Sequence, residues 1–227
     1  MVMEPRELLE KYAGLVKTVR SDHRKQGFVG SHHDFLHALM VAHYAVMIAE
    51  DDFIAELAWL AGVCHNTDHI FPNLSEFEHR RQISDYLVHW TGLDSESSKK
   101  VLTAVMLHSK LNDPNDDQVT MTLKDADRLA NLGPNVIIRS GQYYYRLPAF
   151  NPFFVAEFDP TSTYRNPKSV LRDIMSSLEW VDWLRLPKAR ELAKPYADFL
   201  QQFRALIQHQ LREVGLDPYP FPEDYQE

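Results

Sequence analysis

The sequence has one cysteine and no long apolar run, and each of these shortages excludes a class of protein. Cys64 is the only cysteine among the 227 residues, so disulfide frameworks and cysteine-rich zinc sites are excluded. No apolar stretch approaches the roughly 18 residues that a membrane span needs. Charged residues within the first ten positions leave no apolar core for a secretory signal. We therefore expect a cytoplasmic protein that has no membrane partner.

The balance of charge argues against one kind of partner. The chain has 24 Lys and Arg against 32 Asp and Glu, which gives a formal net charge of −8. General nucleic-acid binding needs a basic surface that displaces counterions, so we do not expect it here. A local basic pocket is still compatible with this composition.

Helical spacing of apolar residues dominates the chain, and the scarcity of glycine (8 residues) also favours long helices. The sequence predicts one all-α domain over residues 1–227, with a core over about 30–214 and seven to nine helices. The predicted helices span about 5–20, 34–50, 52–65, 75–90, 95–109, 122–132, 169–184 and 188–214. Residues 135–145 allow a helix or a strand. The stretch 146–168 is rich in Pro, Phe and Asn and is predicted to be a long ordered loop.

Polar side chains lie at the ends of several apolar helix faces. His37 opens one apolar helix, His65 ends the next, His108 continues an apolar stripe, and Asp127 lies on the packed side of a short helix. A single such histidine is most simply a hydrogen-bonded core residue. Several buried imidazoles and carboxylates that converge are most simply satisfied by a divalent cation. Nitrogen and oxygen donors of this kind suit a transition metal: manganese, iron, zinc, cobalt or nickel.

Four blocks of sequence resemble a known family. They are HDFLHALMVAHYAVMIAE (33–50), LAWLAGVCHNTDHI (57–70), VLTAVMLHSK (101–110) and TLKDADRLANLG (122–133). Their order and content resemble the HD-domain superfamily of metal-dependent phosphohydrolases, most of all its small bacterial single-domain hydrolases. The resemblance implies an all-α, HD-domain-like helical bundle.

The resemblance also implies a set of metal ligands. The family's first metal-binding histidine falls on His37, the histidine of its His-Asp pair on His65, and its distal aspartate on Asp127. The two further histidines of members with a second metal fall on His79 and His108.

One position departs from the family pattern. Asn66 occupies the place of the aspartate in the His-Asp pair, and it offers one weak oxygen and no negative charge. Three interpretations are open. Asp68 supplies the missing carboxylate from one turn away, or the site is weakened or lost, or this block is aligned differently.

The activity implied by the resemblance is hydrolysis of a small anionic phosphorylated substrate, such as a nucleotide, by metal-activated water. Asp68 is then the expected general base, and Arg128 and Arg139 are the expected phosphate contacts. Lys124 is expected to lie on the solvated helix surface. The alternatives are a degenerate HD fold that binds a nucleotide or protein without turnover, and a di-iron oxygenase of the same fold. The sequence leaves open whether the chain forms a homodimer.

Overall fold

The fold is helical, as the sequence predicts. A computed structural model describes residues 4–25, 33–157, 159–163 and 165–225, and within these ranges there are helices and no β-sheet. The all-α prediction is confirmed. No helix in the described part of the chain combines the length and the apolar character that crossing a membrane requires.

The helices follow the predicted segments closely. In chain order they are α1 (Pro5–Lys11), α2 (Ala13–Lys25), α3 (Phe35–Ile48), α4 (Asp52–Cys64), α5 (Thr67–Ile70), α6 (Glu76–Trp90), α7 (Ser95–Leu107), α8 (Gln118–Ala130), α9 (Pro134–Tyr143), α10 (Val170–Ser176) and α11 (Pro187–Glu213). Short 3₁₀ helices cover Pro152–Phe154, Ser177–Trp183 and Pro222–Tyr225.

The helices differ from the predicted segments in several places. The first predicted helix is divided at Tyr12, and the four-residue α5 is an additional helix after α4. The ambiguous segment 135–145 is helical, since α9 covers most of it. The predicted helix over 169–184 is α-helical in α10 and then tightens into the 3₁₀ helix Ser177–Trp183.

Side-chain caps fix where the central helices begin. The side chains of Asp34, Asp51 and Asp94 each accept a hydrogen bond from a backbone N–H in the first turn of α3, α4 and α7. Ser75 and Glu78 form a capping box at the start of α6. Such caps satisfy N–H groups that the helix itself leaves unpaired. The helix starts are therefore set by local sequence, and with them the positions of the residues in each first turn.

The chain forms two compact units. The first contains Met1–Ala130 and Trp183–Glu191, and the second contains Asn131–Asp182 and Leu192–Glu227. In the first unit α3 packs along α4 and α8, and α7 packs against α4 and α8. In the second unit α9 packs against α10, and the described residues of 146–168 include one short 3₁₀ helix, Pro152–Phe154, and otherwise no helix. The expectation of one domain over 1–227 stays a prediction.

Helix α4 is the centre of the first unit. All residues from Leu57 to Cys64 are buried, which agrees with a helix that is apolar on every side. Its C-terminal end therefore delivers the next residue, His65, into the interior. That placement makes the junction of α4 and α5 the natural location for a buried polar site.

Candidate metal centre

Three side chains from α3, the end of α4 and α8 meet in the first unit. Nε2 of His37 lies 3.2 Å from Oδ1 of Asp127, and Nε2 of His65 lies 3.9 Å from the same oxygen. One potential ligand atom from each residue lies within 4.8 Å of the other two. We call His37, His65 and Asp127 the ligand cluster. Two imidazoles and one carboxylate at this spacing are a donor set that a divalent transition metal accepts.

Backbone contacts orient both histidines. His37 is in the first turn of α3, where its backbone N–H donates to Oδ1 of Asp34 at 2.9 Å. The imidazole of His65 lies at hydrogen-bond distance from the carbonyl of Gly62, with Nδ1 to oxygen at 2.7 Å. A carbonyl can only accept, so Nδ1 of His65 carries the proton and Nε2 is the free acceptor. The acceptor nitrogen of His65 is thus the one that faces Asp127.

The surroundings also set the protonation of the ligand cluster. Burial lowers the pKa of His65 well below its usual value, although the negative charge of Asp127 opposes this shift. Burial by itself would raise the pKa of Asp127, but the neighbouring imidazole of His37 and the charges around it hold that pKa well below its usual range. At neutral pH the cluster therefore contains a neutral His65 and an ionised Asp127, which are the forms that bind a metal.

Two buried acceptor atoms, one in the cluster and one in the residue that follows it in sequence, lack hydrogen-bond partners among the described residues. They are Nε2 of His65 and Oδ1 of Asn66. A buried acceptor without a partner is costly, and such atoms are unusual in native interiors. A cation bound between Nε2 of His65 and Oδ1 of Asp127 would remove that cost for His65. The residues present therefore fit a divalent metal ion.

Other predicted site residues line a pocket next to the ligand cluster. His65, Asp68, His79 and His108 lie around an open pocket of about 300 Å³, which we call the histidine pocket. The ring centroids of His65 and His108 are 5.2 Å apart. His79 and His108 are not part of the ligand cluster. Asp68 is exposed, and its Oδ1 accepts from the backbone N–H of His69 at 2.9 Å. Their predicted roles stay predictions.

Each of the two pocket histidines has one ring nitrogen beside a backbone carbonyl. Nε2 of His79 lies 2.8 Å from the oxygen of Phe71, and Nδ1 of His108 lies 2.6 Å from the oxygen of Val105. These nitrogens therefore carry the protons, because a carbonyl only accepts. Nε2 of His108 is then the acceptor nitrogen of that ring.

The two predicted phosphate contacts lie in different units. Arg128 is buried in the first unit, where it donates to Oδ1 of Asp125 at 3.3 Å and to the carbonyl of Trp183 at 3.0 Å. Arg139 is in the second unit and donates to Oδ1 of Asn131 at 2.8 Å. Both arginines have protein partners, and their role in substrate binding stays a prediction.

Lys124 does not lie on the solvated surface, so that prediction is wrong. Lys124 is 2% exposed, and its Nζ donates to Oδ2 of Asp116 at 2.8 Å and to the carbonyl of Leu111 at 2.9 Å. The loop that follows α7 folds back over α8 and buries the ammonium group. Helix position alone does not reveal this contact, because Asp116 belongs to a loop whose path the spacing of apolar residues does not predict.

Sequence reasoning also missed two residues that position the cluster. Asp34 caps the turn that carries His37, and the carbonyl of Gly62 holds the ring of His65. The Asp34 cap could be predicted from the sequence, since an aspartate directly before the first apolar residues of a helix is a typical N-cap. The contact of Gly62 could not, because a backbone carbonyl is available at every residue.

Comparison with known proteins finds one family whose model matches part of the chain. The family model of the HD domain matches residues 34–132, a range that contains the whole ligand cluster. No curated protein sequence matches the chain.

Solved structures share the fold. An HD-superfamily hydrolase from Bacillus thuringiensis is 23% identical, with a TM-score of 0.65 over 92% of this chain and 98% of that one. YpgQ from Bacillus subtilis, in complex with ADP, is 22% identical, with a TM-score of 0.59 over 88% and 97%. The Lin1889 protein from Listeria innocua is 20% identical, with a TM-score of 0.60 over 92% and 98%. At these identities the likeness establishes the architecture alone.

Proposed function

Because residues 34–132 match the family model of the HD domain, we propose that this chain is a metal-dependent phosphohydrolase that acts on a small phosphorylated substrate. The observation that carries the proposal is the meeting of His37, His65 and Asp127 around one point, from three helices far apart in sequence. The two histidines supply neutral nitrogens and Asp127 supplies one negative charge. No such arrangement is needed for the helices to pack.

The ligand cluster and the histidine pocket have different roles in the proposed reaction. A divalent ion held by the cluster would make water a better nucleophile at neutral pH and would offset charge on phosphoryl oxygens. The exposed carboxylate of Asp68 accepts the proton of the attacking water. His108 lines the same pocket, and its acceptor nitrogen, Nε2, would orient a hydroxyl or water. The carbonyl of Gly62 keeps His65 in the tautomer that presents Nε2.

We further propose that the substrate is a nucleotide. YpgQ, which shares the fold, has been crystallised in complex with ADP, and this supports a phosphorylated nucleoside for the present chain. Arg128, in the same unit as the ligand cluster, is the proposed contact for the substrate's phosphates. In a chain of net charge −8, local cations are needed to bind an anion.

The proposal is tested by measuring bound metal and phosphate release on the same samples. The purified protein is expected to contain a transition metal and to release phosphate from members of a nucleotide panel. His65→Ala and Asp127→Ala should each lose both properties. His89→Ala is the matched control, because His89 is exposed on α6, outside the cluster, and its replacement should change neither.

A second variant separates the proton acceptor from the ligands. Asp68→Asn should retain the metal and slow phosphate release by about 10²-fold to 10⁴-fold, the usual contribution of a general base. Absence of metal, with none bound on addition of manganese, iron, cobalt, nickel or zinc, contradicts the proposal. Nucleotide binding with metal present and no phosphate release favours the non-catalytic binding module instead.

A further inference from the structure

An open groove runs along α2 where it meets α1, within the first unit. The groove has a volume of about 850 Å³, and we call it the α2 groove. Its apolar side chains are those of Leu9 in α1 and of Ala13 and Val16 in α2. Its charged side chains are three exposed cations of α2, which are Lys17, Arg20 and Arg24. No residue of the ligand cluster or of the histidine pocket lines it.

The three cations lie on one side of α2. Lys17 precedes Arg20 by three residues, and Arg20 precedes Arg24 by four, which are the spacings that bring side chains together on a helix. The helix rises about 10 Å from the first of these residues to the last. Their long side chains can therefore reach one anion that has several negative charges.

These cations have no anionic partner in the part of the chain that the structure describes. No hydrogen bond or ion pair joins any of the three to another described residue. Asp22, the one carboxylate of α2, is engaged elsewhere, since Oδ1 lies 3.0 Å from Nζ of Lys25 and Oδ2 accepts from the hydroxyl of Tyr86 at 2.7 Å. Outside the described ranges, Glu227 is the only acidic residue. The three positive charges are therefore available to a ligand.

The electrostatics of α2 favour a bound anion. Like charges at these helical spacings repel each other, and an anion between them would relieve the repulsion. The chain as a whole has a net charge of −8, yet α2 contains four Lys and Arg residues against a single Asp. Carboxylates are thus abundant in the sequence, and the fold places none beside the three cations among the described residues.

The dimensions of the α2 groove favour a small ligand over a protein. Seven residues line the groove, whereas a stable protein interface takes about 20–30 residues from each partner. Its volume falls within the range of roughly 300–1,000 Å³ that is typical of small-molecule sites. Phosphate groups supply several negative charges over a short distance, and they are strong acceptors for Arg and Lys. The apolar side chains suit a part of the ligand that is planar or apolar.

We propose that the α2 groove binds a polyphosphorylated small molecule that also has a planar or apolar group, at a site separate from the metal centre. The three cations bind the phosphates, and the hydroxyl of Ser21, which also lines the groove, is a further donor. Leu9, Ala13 and Val16 contact the planar or apolar group. The site requires no metal, so the inference is independent of the proposed function.

The test is isothermal titration calorimetry on the metal-free full-length protein, in the presence of a chelator. The probes are ATP, inorganic tripolyphosphate and adenosine. ATP is expected to bind, and tripolyphosphate to bind more weakly, because it has no planar group for the apolar side chains. Adenosine should not bind measurably, because it has no charge. Added salt should weaken the binding of ATP, since the cations are exposed.

A double variant locates the binding site. Arg20→Gln combined with Arg24→Gln should weaken ATP binding by about 10-fold, the loss expected when two exposed ion pairs are removed. Arg80→Gln combined with Arg81→Gln is the matched control, because it removes the same charge from exposed positions of α6 in the same unit. The control should bind ATP as the wild-type protein does. Lys17→Gln should weaken binding less than the double variant, because it removes one charge.

The outcomes separate this inference from the proposed function. Failure of the wild-type protein to bind ATP and tripolyphosphate overturns the inference. Equal affinity of the double variant and its control for ATP, with unchanged circular dichroism, places the ligand elsewhere and also overturns it. Binding of polyglutamate without binding of either phosphate probe assigns the groove to an acidic protein partner instead. Tripolyphosphate binding at least as tight as that of ATP contradicts the role of the apolar side chains. None of these results bears on phosphate release by the metal-loaded protein.

Discussion

Gly62 of α4 lies directly against the backbone of Ala42 in α3. A Cβ atom added to Gly62 would lie 2.7 Å from Cα and 2.8 Å from the backbone nitrogen of Ala42. Contacts this short with backbone atoms cannot be relieved by rotating a side chain. The close approach of α3 and α4 brings the end of α4 near the start of α3, where His65 and His37 meet.

Gly62→Ala should therefore destabilise the protein and weaken metal binding. The two helices must separate to admit the methyl group, at a cost of about 1–3 kcal/mol in the free energy of unfolding. Because the carbonyl of Gly62 holds the ring of His65, the same shift displaces a ligand. Chemical denaturation and titration with Mn²⁺ measure the two effects.

Gly141→Ala is the matched control for that substitution. Gly141 lies in α9, and a Cβ added there meets no atom of the described chain within 4 Å. Alanine in a helix is favoured over glycine, so this variant should be more stable by about 0.5–1 kcal/mol. Equal stability of the two variants would contradict the close packing of α3 on α4.

The buried pair of Lys124 and Asp116 provides a second prediction. Both side chains are 1% exposed. Nζ of Lys124 lies 2.8 Å from Oδ2 of Asp116, and the same oxygen lies 2.8 Å from Nη1 of Arg185. Removing one partner leaves a buried charge without compensation. Lys124→Met should lower the free energy of unfolding by about 3 kcal/mol, toward the low end for such pairs because Arg185 still neutralises Asp116.

Asp116→Asn should be more damaging than Lys124→Met, since it leaves two cations without their shared anion. Urea denaturation of both variants gives the ranking. Arg6→Met is the control, because the pair of Arg6 and Glu10 is exposed and such pairs contribute little to stability. A larger loss of unfolding free energy in Lys124→Met than in Asp116→Asn would show that Arg185 does not share the carboxylate.

Local signals in the sequence predicted most of the helices. Apolar spacing and side-chain caps act within a few residues, so the starts of α3, α4, α6 and α7 could be read from the sequence. The convergence of His37, His65 and Asp127 was expected from the family resemblance and from polar groups at the ends of apolar faces. Spacing alone does not place residues of α3 and α8 beside each other.

What could not be predicted depends on contacts between distant segments. Lys124 occupies a position on α8 that suits the surface, and a loop that carries Asp116 buries it. Asp125 accepts from the backbone N–H groups of Arg185 and Leu186 at 2.7 and 2.8 Å. Through these hydrogen bonds the segment Trp183–Glu191 packs within the first unit. The spacing of apolar residues does not predict such contacts between distant segments, because it describes each helix by itself.

Cys64 should be chemically inert in the folded protein. The thiol is fully buried, and burial raises its pKa to about 12. Reaction with a disulfide reagent needs an accessible thiolate, and neither condition is met at pH 8. The native protein should therefore show no titratable thiol, and one per chain after unfolding in urea. Rapid labelling without denaturant would mean that the C-terminal turn of α4 opens easily.

His23 makes stability depend on pH. Its ring is buried in α2, with Nδ1 2.9 Å from the carbonyl of Val19 and Nε2 lacking a hydrogen-bond partner among the described residues. Burial lowers its pKa below the usual value near 6.5, and the Val19 carbonyl, Asp34 and Asp22 only partly offset the shift. The unfolded chain then binds a proton more readily than the folded one, so stability is lost as pH falls below about 6.5.

His23→Leu should reduce that dependence in the metal-free protein. The free energy of unfolding, measured by urea denaturation between pH 7.5 and about 5.5, should fall less steeply in the variant than in the wild-type chain. His43 and His69, whose pKa values burial also lowers, keep part of the slope. His209→Leu, at an exposed position of α11, should leave the wild-type slope unchanged. Identical slopes for His23→Leu and the wild-type protein would mean that His23 is protonated without cost inside the fold.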